Sequence, residues 1–333
     1  MNRISEQQVV RSVVQDILRN RRLTNVHGEE VSSGNRVTTP RDDAAVAGTI
    51  SELRETLRRF EGHRNRIAAV RSGFNLQEDV SEQANEILTR AIEITSQGIN
   101  ESNSPEVRAQ MAAEVFAMRD HMVSLANTQY QGRYIYGGAA DQNPPVDRTT
   151  DYTEPATGGQ GEEVRYTFDS ATGRTVTKTV QITDDFSLQV NTAATTVFQN
   201  SIAGLERLGR ALAGYATTVD AQGIPTGAGS AYTFPADTQT QTTELRSVLD
   251  TLNTAREQDV AVHRGNLAGL QQRLVTGEQL LDSLEVNINE VLDRLQNVDI
   301  FKAATDLAES QNALQASMQV ANQLLSLSIL NFL

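Results

Sequence analysis

The sequence predicts a mainly α protein: a long antiparallel helical bundle and terminal coiled-coil helices, with a small β-rich inserted domain. Three observations predict it. The C-terminal stretch holds a three-four spacing from Ala304 through Leu307, Gln311, Leu314, Met318, Ala321, Leu325 and Ser328 to Phe332, the seam of a coiled coil. Two longer stretches, at residues 50–94 with one slip after Phe74 and at 267–298, keep the same spacing. Between residues 139 and 195 the helical pattern stops, and prolines, glycines and short alternating runs replace it.

Composition supports an elongated helical protein. The 333 residues give room for two or three domains, yet aromatics are only 5% and tryptophan is absent, which argues against one large globular core. Without cysteine there are no disulfides and no thiolate metal sites. The opening MNRISEQQVV has no apolar run of about 7–15 residues, so no secretory signal peptide is expected. No apolar run approaches the ~20 residues of a membrane span, so no membrane partner is expected. The net charge of −13 is uneven: residues 1–72 hold 13 arginines against 9 acids, and the rest holds 16 basic against 33 acidic residues. Opposite signs favour association of the two ends. With no basic patch interleaved with aromatics, no nucleic-acid partner is expected.

In chain order, residues 5–23 read as an amphipathic helix with Val10, Val13, Val14, Ile17 and Leu18 at helical spacing. It is the natural partner of the C-terminal seam. No charge follows Glu309, and Leu324, Leu327, Ile329, Leu330 and Leu333 widen the stripe, so that end needs a partner. Residues 32–45 form a polar loop with Gly34 and Pro40 as breakers, and Asp42-Asp43 suit a helix N-terminus. A rod to about Gln97 follows, with the seam Ile50, Leu53, Leu57, Phe60, Arg64, Ile67, Arg71 and Phe74, then a slip to Val80, Ala84, Ile87, Ala91 and Ile94. At ~1.5 Å per residue it is roughly 75–80 Å long and needs other long helices beside it.

Ser104 and Pro105 read as cap and first residue of a helix carrying Val107, Met111, Val115, Met118, Met122 and Leu125; the methionines read as adaptable packing. Tyr130, Tyr134, Tyr136 and Gly137-Gly138 mark the change to extended chain. In the insert, Pro144, Pro145, Pro155 and the glycines at 158–161 break the chain. Runs at Val164–Phe168, Val176–Ile182 and Phe186–Val190 read as strands, with a hairpin loop at Asp169–Gly173 between the first two. Residues 197–212 return to helix, and 213–237 read as a surface loop. The last rod begins near Thr238, with the seam Leu267, Leu270, Leu274, Gly277, Leu281, Leu284, Ile288, Val291, Leu295 and Val298.

The expected organisation is nested. Residues 1–40 with 300–333 form a terminal helical polymerisation domain. Residues 41–140 with 238–299 form a long-helix bundle. Residues 141–237 form a variable β-rich outer domain with a short helix. The candidate partner interface is Val10, Val14, Ile17, Leu307, Leu314, Met318, Ala321, Leu325 and Phe332. The candidate bundle packing is Ile50, Leu57, Phe60, Leu274, Leu281, Ile288 and Leu295.

No enzyme chemistry is legible. His27, His63, His121 and His263 each stand alone, with no second ligand at metal spacing, so neither a metal nor a cofactor is expected. Asp42-Asp43 and Asp184-Asp185 read as caps and turns, since adjacent helix residues do not face each other. No glycine run is followed by Gly-Lys-Ser/Thr. The arginines at 54, 58, 59, 64, 66 and 71 read either as a solvated face or as partners of Glu278, Glu285 and Asp293.

Three segments carry a resemblance. SSGNRVTTPRDDAAVAGTI (residues 32–50) is similar to the stretch after the N-terminal helix of bacterial flagellins and hook-associated proteins. NTQYQGRYIYGG (127–138) resembles the end of their second bundle helix, and residues 297–333 resemble their C-terminal polymerisation segment. Together they cover residues 1–140 and 240–333. Pro40 and Arg41 depart from the small residues usual there. The tail LSLSILNFL, and GRYIYGG leading straight into a β-rich middle, resemble the branch that forms the hook–filament junction; flagellin is the alternative. The resemblance implies a structural protein, secreted unfolded by flagellar type III export. It also implies the partners: a ring of about eleven copies of itself, flagellin, hook-associated protein 1 and a cytoplasmic export chaperone.

Overall fold

The computed structural model describes residues 2–100, 103–138, 140–152, 163–168, 178–183, 186–217, 219, 231–234 and 236–330. The expected hairpin loop at Asp169–Gly173, Pro155, the glycines at 158–161, Val176, Asp184-Asp185, Phe332 and Leu333 lie outside them, as does most of the expected loop at 213–237. Seven α-helices are described: α1 Asn2–Ser33, α2 Ala44–Ile99, α3 Pro105–Ala126, α4 Ala194–Ala213, α5 Thr238–Thr254, α6 Ala261–Gln296 and α7 Ile300–Leu330. A π-helical turn, Ala255–Val260, joins α5 to α6. The strands are β1 Gln129–Tyr130, β2 Arg133–Tyr134, β3 Val146–Tyr152, β4 Glu163–Phe168, β5 Thr179–Thr183 and β6 Phe186–Gln189, paired as three antiparallel two-stranded sheets. The chain divides into two compact units, residues 1–61 with 280–333 and residues 62–279.

The first unit contains α1, α7 and the near ends of α2 and α6. Helix α1 runs ten residues beyond the expected end at Leu23. That second half is polar, so an apolar stripe does not reveal it. Its core is small: Val37, Ile50 and Leu292 are buried, with Leu53, Leu57, Ile288 and Leu295 packed against them. On α6 the expected seam positions Leu284 and Val291 face solvent, and the half-buried and buried positions are Glu285, Ile288, Leu292 and Leu295. The seam turns by one residue because Leu292, not Val291, meets Ile50.

The second unit has the main core, built from α2, α3, α4, α5 and the π turn. After Phe74 the expected line Val80, Ala84, Ile87, Ala91 and Ile94 is buried, and the stripe widens to take in Gln77, Ser81, Leu88, Thr95 and Gly98 as well. Three of these slots are polar; Gln77 and Ser81 meet Tyr136, whose hydroxyl donates to the Gln77 carbonyl at 3.1 Å and lies 3.4 Å from Ser81 Oγ, and Thr95 Oγ1 donates to the Ala91 carbonyl. Tyr136 also packs edge-on against Phe198, centroids 4.8 Å apart. It is brought there by the β1–β2 turn, in which Gln131 and Gly132 take φ of 51° and 76°.

Helix α3 starts as expected, with Ser104 Oγ accepting from the Val107 amide and Pro105 in the first turn. Val107 itself is exposed, however, and the buried line runs Arg108, Ala112, Val115, Arg119, Met122 and Ala126. Helix α4 lies at the centre of the unit, buried on nearly every side from Ser201 to Leu212. Two glycines allow its neighbours in: a Cβ on Gly204 would stand 2.8 Å from Leu252, and one on Gly209 would stand 2.5 Å from Phe116.

The expected pairing of the insert is corrected. β4 pairs with β3, Val146 opposite Phe168, and β5 pairs with β6, Val180 opposite Leu188. β3, with the sequence VDRTTDY, has no apolar alternation to betray it. The β5–β6 hairpin lies on the rods: Ile182 is 3.6 Å from the Cβ position of Gly277, the Arg273 guanidinium sits over Phe186, and Arg66 Nε donates to the Gln181 carbonyl at 3.1 Å.

Candidate assembly interface

The two chain ends meet in the first unit as an antiparallel pair. Asn20 Nδ2 donates to Ser317 Oγ at 2.9 Å, Thr24 Oγ1 donates to Ser310 Oγ at 3.3 Å, and Gly28 faces Leu307. A half-buried or buried line on α1 runs Val13, Ile17, Asn20, Thr24, His27 and Val31, with Gly28 and Glu30 half-buried beside it; on α7 the line runs Ala303, Leu307, Ser310, Leu314, Ser317, Ala321 and Leu324, with Asp306 half-buried beside it. Both lines alternate three and four, as in a coiled coil. Polar rungs at fixed heights set the register of such a pair, because a one-turn slip would leave them facing methyl groups.

The closing turn is tightly held. Asn35 bridges to Asn297, the Arg36 amide donates to the Gln296 carbonyl at 2.7 Å, and the Val298 amide donates to the Gly34 carbonyl at 3.0 Å. Asp42 accepts from the Thr38 and Thr39 amides at 3.0 and 2.7 Å, and these backbone bonds hold its carboxyl below the usual value. Asp43 accepts from the Val46 amide at 3.1 Å and Asp299 from the Phe301 amide at 3.1 Å, each capping the helix that follows.

The structure divides the sequence-derived interface residues. Ile17, Leu307, Leu314 and Ala321 lie on the line between α1 and α7. Val10 and Val14 do not: they are 44% and 49% exposed. Met318, 52% exposed, also faces outward, because Ser317 takes the slot expected for it; Ser310 likewise replaces Gln311, and Ala303 replaces Ala304. Leu325 falls within α7. Leu18, Leu23, Val26, Phe301 and Val320 add to the outward apolar residues. Of the bundle residues, Ile50, Leu274 and Leu281 are buried, and Leu57, Phe60, Ile288 and Leu295 are half-buried.

Sequence reasoning missed a buried charge network in the second unit. Glu206 on α4 is 4% exposed and accepts from Arg119 Nη1 at 2.5 Å and from Arg210 Nε at 2.7 Å. Arg207 reaches Glu244 at 2.9 Å, and Arg108 donates to Gln241. The signal was available: three charges at 206, 207 and 210 interrupt an otherwise apolar helix. Of the arginine group on α2, Arg71 pairs with Glu278 at 2.5 Å, Arg58 with Glu55 at 2.6 Å, and Arg54 donates to Gln296 at 3.0 Å. The group is thus part face and part clasp.

Three of the four histidines make contacts within the fold, and His121 is exposed. His27 bonds Glu30, His63 contacts Arg66, and His263 packs against Tyr136 with centroids 5.7 Å apart. Burial pushes the His263 imidazole down to about 4, with Glu78 pulling the other way. Among the described residues no group of three or more His, Asp or Glu could hold a metal, and no helix is long and apolar enough to cross a membrane.

Comparison with known proteins places this arrangement. The N-terminal helical region of bacterial flagellin, as a family, matches residues 4–141. Flagellar hook-associated protein 3 of Salmonella typhimurium is 30% identical over 128 residues, which is 37% of this chain and 39% of that protein's length. Flagellin C of Vibrio anguillarum is 23% identical over 89% of each chain. The crystal structure of Xanthomonas campestris FlgL shares the fold, with a TM-score of 0.56 over 72% of this chain and 99% of that one at 16% identity. Residues 4–141 are thus similar to the N-terminal helical region of bacterial flagellin, and the fold of the chain is that of the Xanthomonas campestris FlgL structure.

Proposed function

We propose that this protein is a structural component of the bacterial flagellum that joins hook to filament. The observation that carries the reading is the α1–α7 pair. It brings both ends of the chain together in register, yet leaves Val10, Val14, Leu18, Met318 and Val320 facing outward. Such a surface is costly unless it is covered, and in this proposal other subunits cover it. The terminal helices form the inner layer, the long-helix bundle surrounds them, and residues 141–237 face outward. Copies of the chain close a ring, with hook-associated protein 1 on one side and flagellin on the other. A cytoplasmic chaperone holds the C-terminal helix before type III export. The role is mechanical, without catalysis or cofactor. The likeness of residues 4–141 to the flagellin region, and the match to a hook-associated protein 3, support this reading.

One observation favours a second reading. The match to Flagellin C runs through 89% of both chains, which fits a filament subunit. Purified protein separates the two, since a flagellin grows long filaments alone and a junction protein does not. The direct test removes residues 314–333 and asks whether the truncated gene restores motility to a strain lacking this protein. Loss of motility is expected, with α2–α6 still folded; normal swimming would overturn the proposal.

A further inference from the structure

Between Thr238 and Gly277 the seam spacing changes once. In α5 the buried seam runs Gln241, Leu245, Val248 and Leu252, followed by Ala255, in steps of four and three, with Thr242 buried beside it. From Val260, the last residue of the π turn, the seam continues through His263 and Leu267, half-buried Leu270, then Leu274 and Gly277, again in threes and fours. Between Ala255 and Val260 the step is five. An α-helix continued from Ala255 would carry Asp259 into the seam. Instead the turn widens, and the Ala261 amide donates to the Arg256 carbonyl five residues back. Asp259 is thereby free to accept from Asn200 Nδ2 on α4 at 2.8 Å.

The two sides of the turn are anchored to different helices. Arg207 of α4 holds Glu244 and Thr251 of α5, and Leu252 closes on Gly204. On the other side, Arg264 of α6 holds Glu78 and Glu82 of α2 at 2.7 and 2.5 Å, and Gln271 donates to Asn75. Neither side can expel the extra residue without breaking its own register.

We propose that Ala255–Val260 is a one-residue insertion acting as the yield point of the rod: it uncouples α5 on α4 from α6 on α2, so the rod opens and bends there first. The α-helix is the more favourable backbone, and the π turn persists only because both flanks are fixed. Amide hydrogen exchange on the full chain tests this in two ways. In the parent, the amides of 256–261 should exchange at least about tenfold faster than those of 264–274. Deleting exposed Gln258 removes the fifth step, so protection at the turn should rise to that of its flanks with no fall in thermal midpoint. Deleting exposed Gln272, in plain α-helix, should lower the midpoint sharply. Equal exchange across 256–274 in the parent overturns the proposal. So does a Gln258 deletion as damaging as the Gln272 deletion.

Discussion

Glu206→Gln should loosen the centre of the second unit more than its small change in shape suggests. The carboxylate is the shared acceptor of Arg119 and Arg210, and all three side chains are at most 10% exposed. An amide keeps one acceptor oxygen but removes the charge, so Arg119 and Arg210 lose their shared buried counter-ion, while Arg119 keeps the half-exposed Asp120 at 2.9 Å. Breaking one side of a buried pair costs about 3–5 kcal/mol, because the remaining charge cannot be solvated. At about 2–4 °C per kcal/mol for a unit of this size, the midpoint of helix loss should fall by about 6–20 °C. Circular dichroism at 222 nm reads the midpoint, and hydrogen exchange in α3 and α4 assigns it. Replacing the whole cluster, as Arg119→Met with Glu206→Leu and Arg210→Met, should recover much of the loss, since apolar groups of similar volume need no partner. A drop under about 2 °C in Glu206→Gln would refute the reasoning, since it would mean water already reaches the site.

Two further outcomes follow from the same structure. His263 is held near 4 in the fold against about 6.5 when unfolded, so the fold prefers it neutral. Its contribution is complete above pH 6.5 and is lost as pH falls towards 4. From pH 7 to pH 4.5 the loss is about 2 kcal/mol. Denaturant titrations at both pH values should show His263→Phe removing that part of the acid sensitivity, and an unchanged pH slope would contradict it. Val14→Ser and Met318→Ser alter exposed positions, so each should leave monomer stability within about 0.5 kcal/mol. Both should weaken subunit association in sedimentation or by electron microscopy. Loss of monomer stability would instead mean that these side chains pack inward.

The helical architecture was legible because three long stretches repeat apolar residues every three and four positions, and no other fold uses that pattern at such length. What was illegible has a common cause: the seam slots filled by polar residues. On α7, Ser310 and Ser317 hold positions that apolarity alone assigns to Gln311 and Met318. On α2, Gln77 and Ser81 widen the buried stripe without an apolar signal, because their partner, Tyr136, arrives from the far side of α3 in sequence. Asn20 and Thr24 conceal the second half of α1 in the same way. Strand β3 was missed because its register comes from its partner β4, not from its own alternation. The π turn has a sequence trace, a step of five between Ala255 and Val260, but that trace is visible only once both flanking seams are known.

The central claim is location within the flagellum, and immunogold electron microscopy of isolated flagella tests it directly, using antibody raised to residues 141–237. Label should be confined to the boundary between hook and filament. Label along the whole filament would contradict it and make this chain a flagellin.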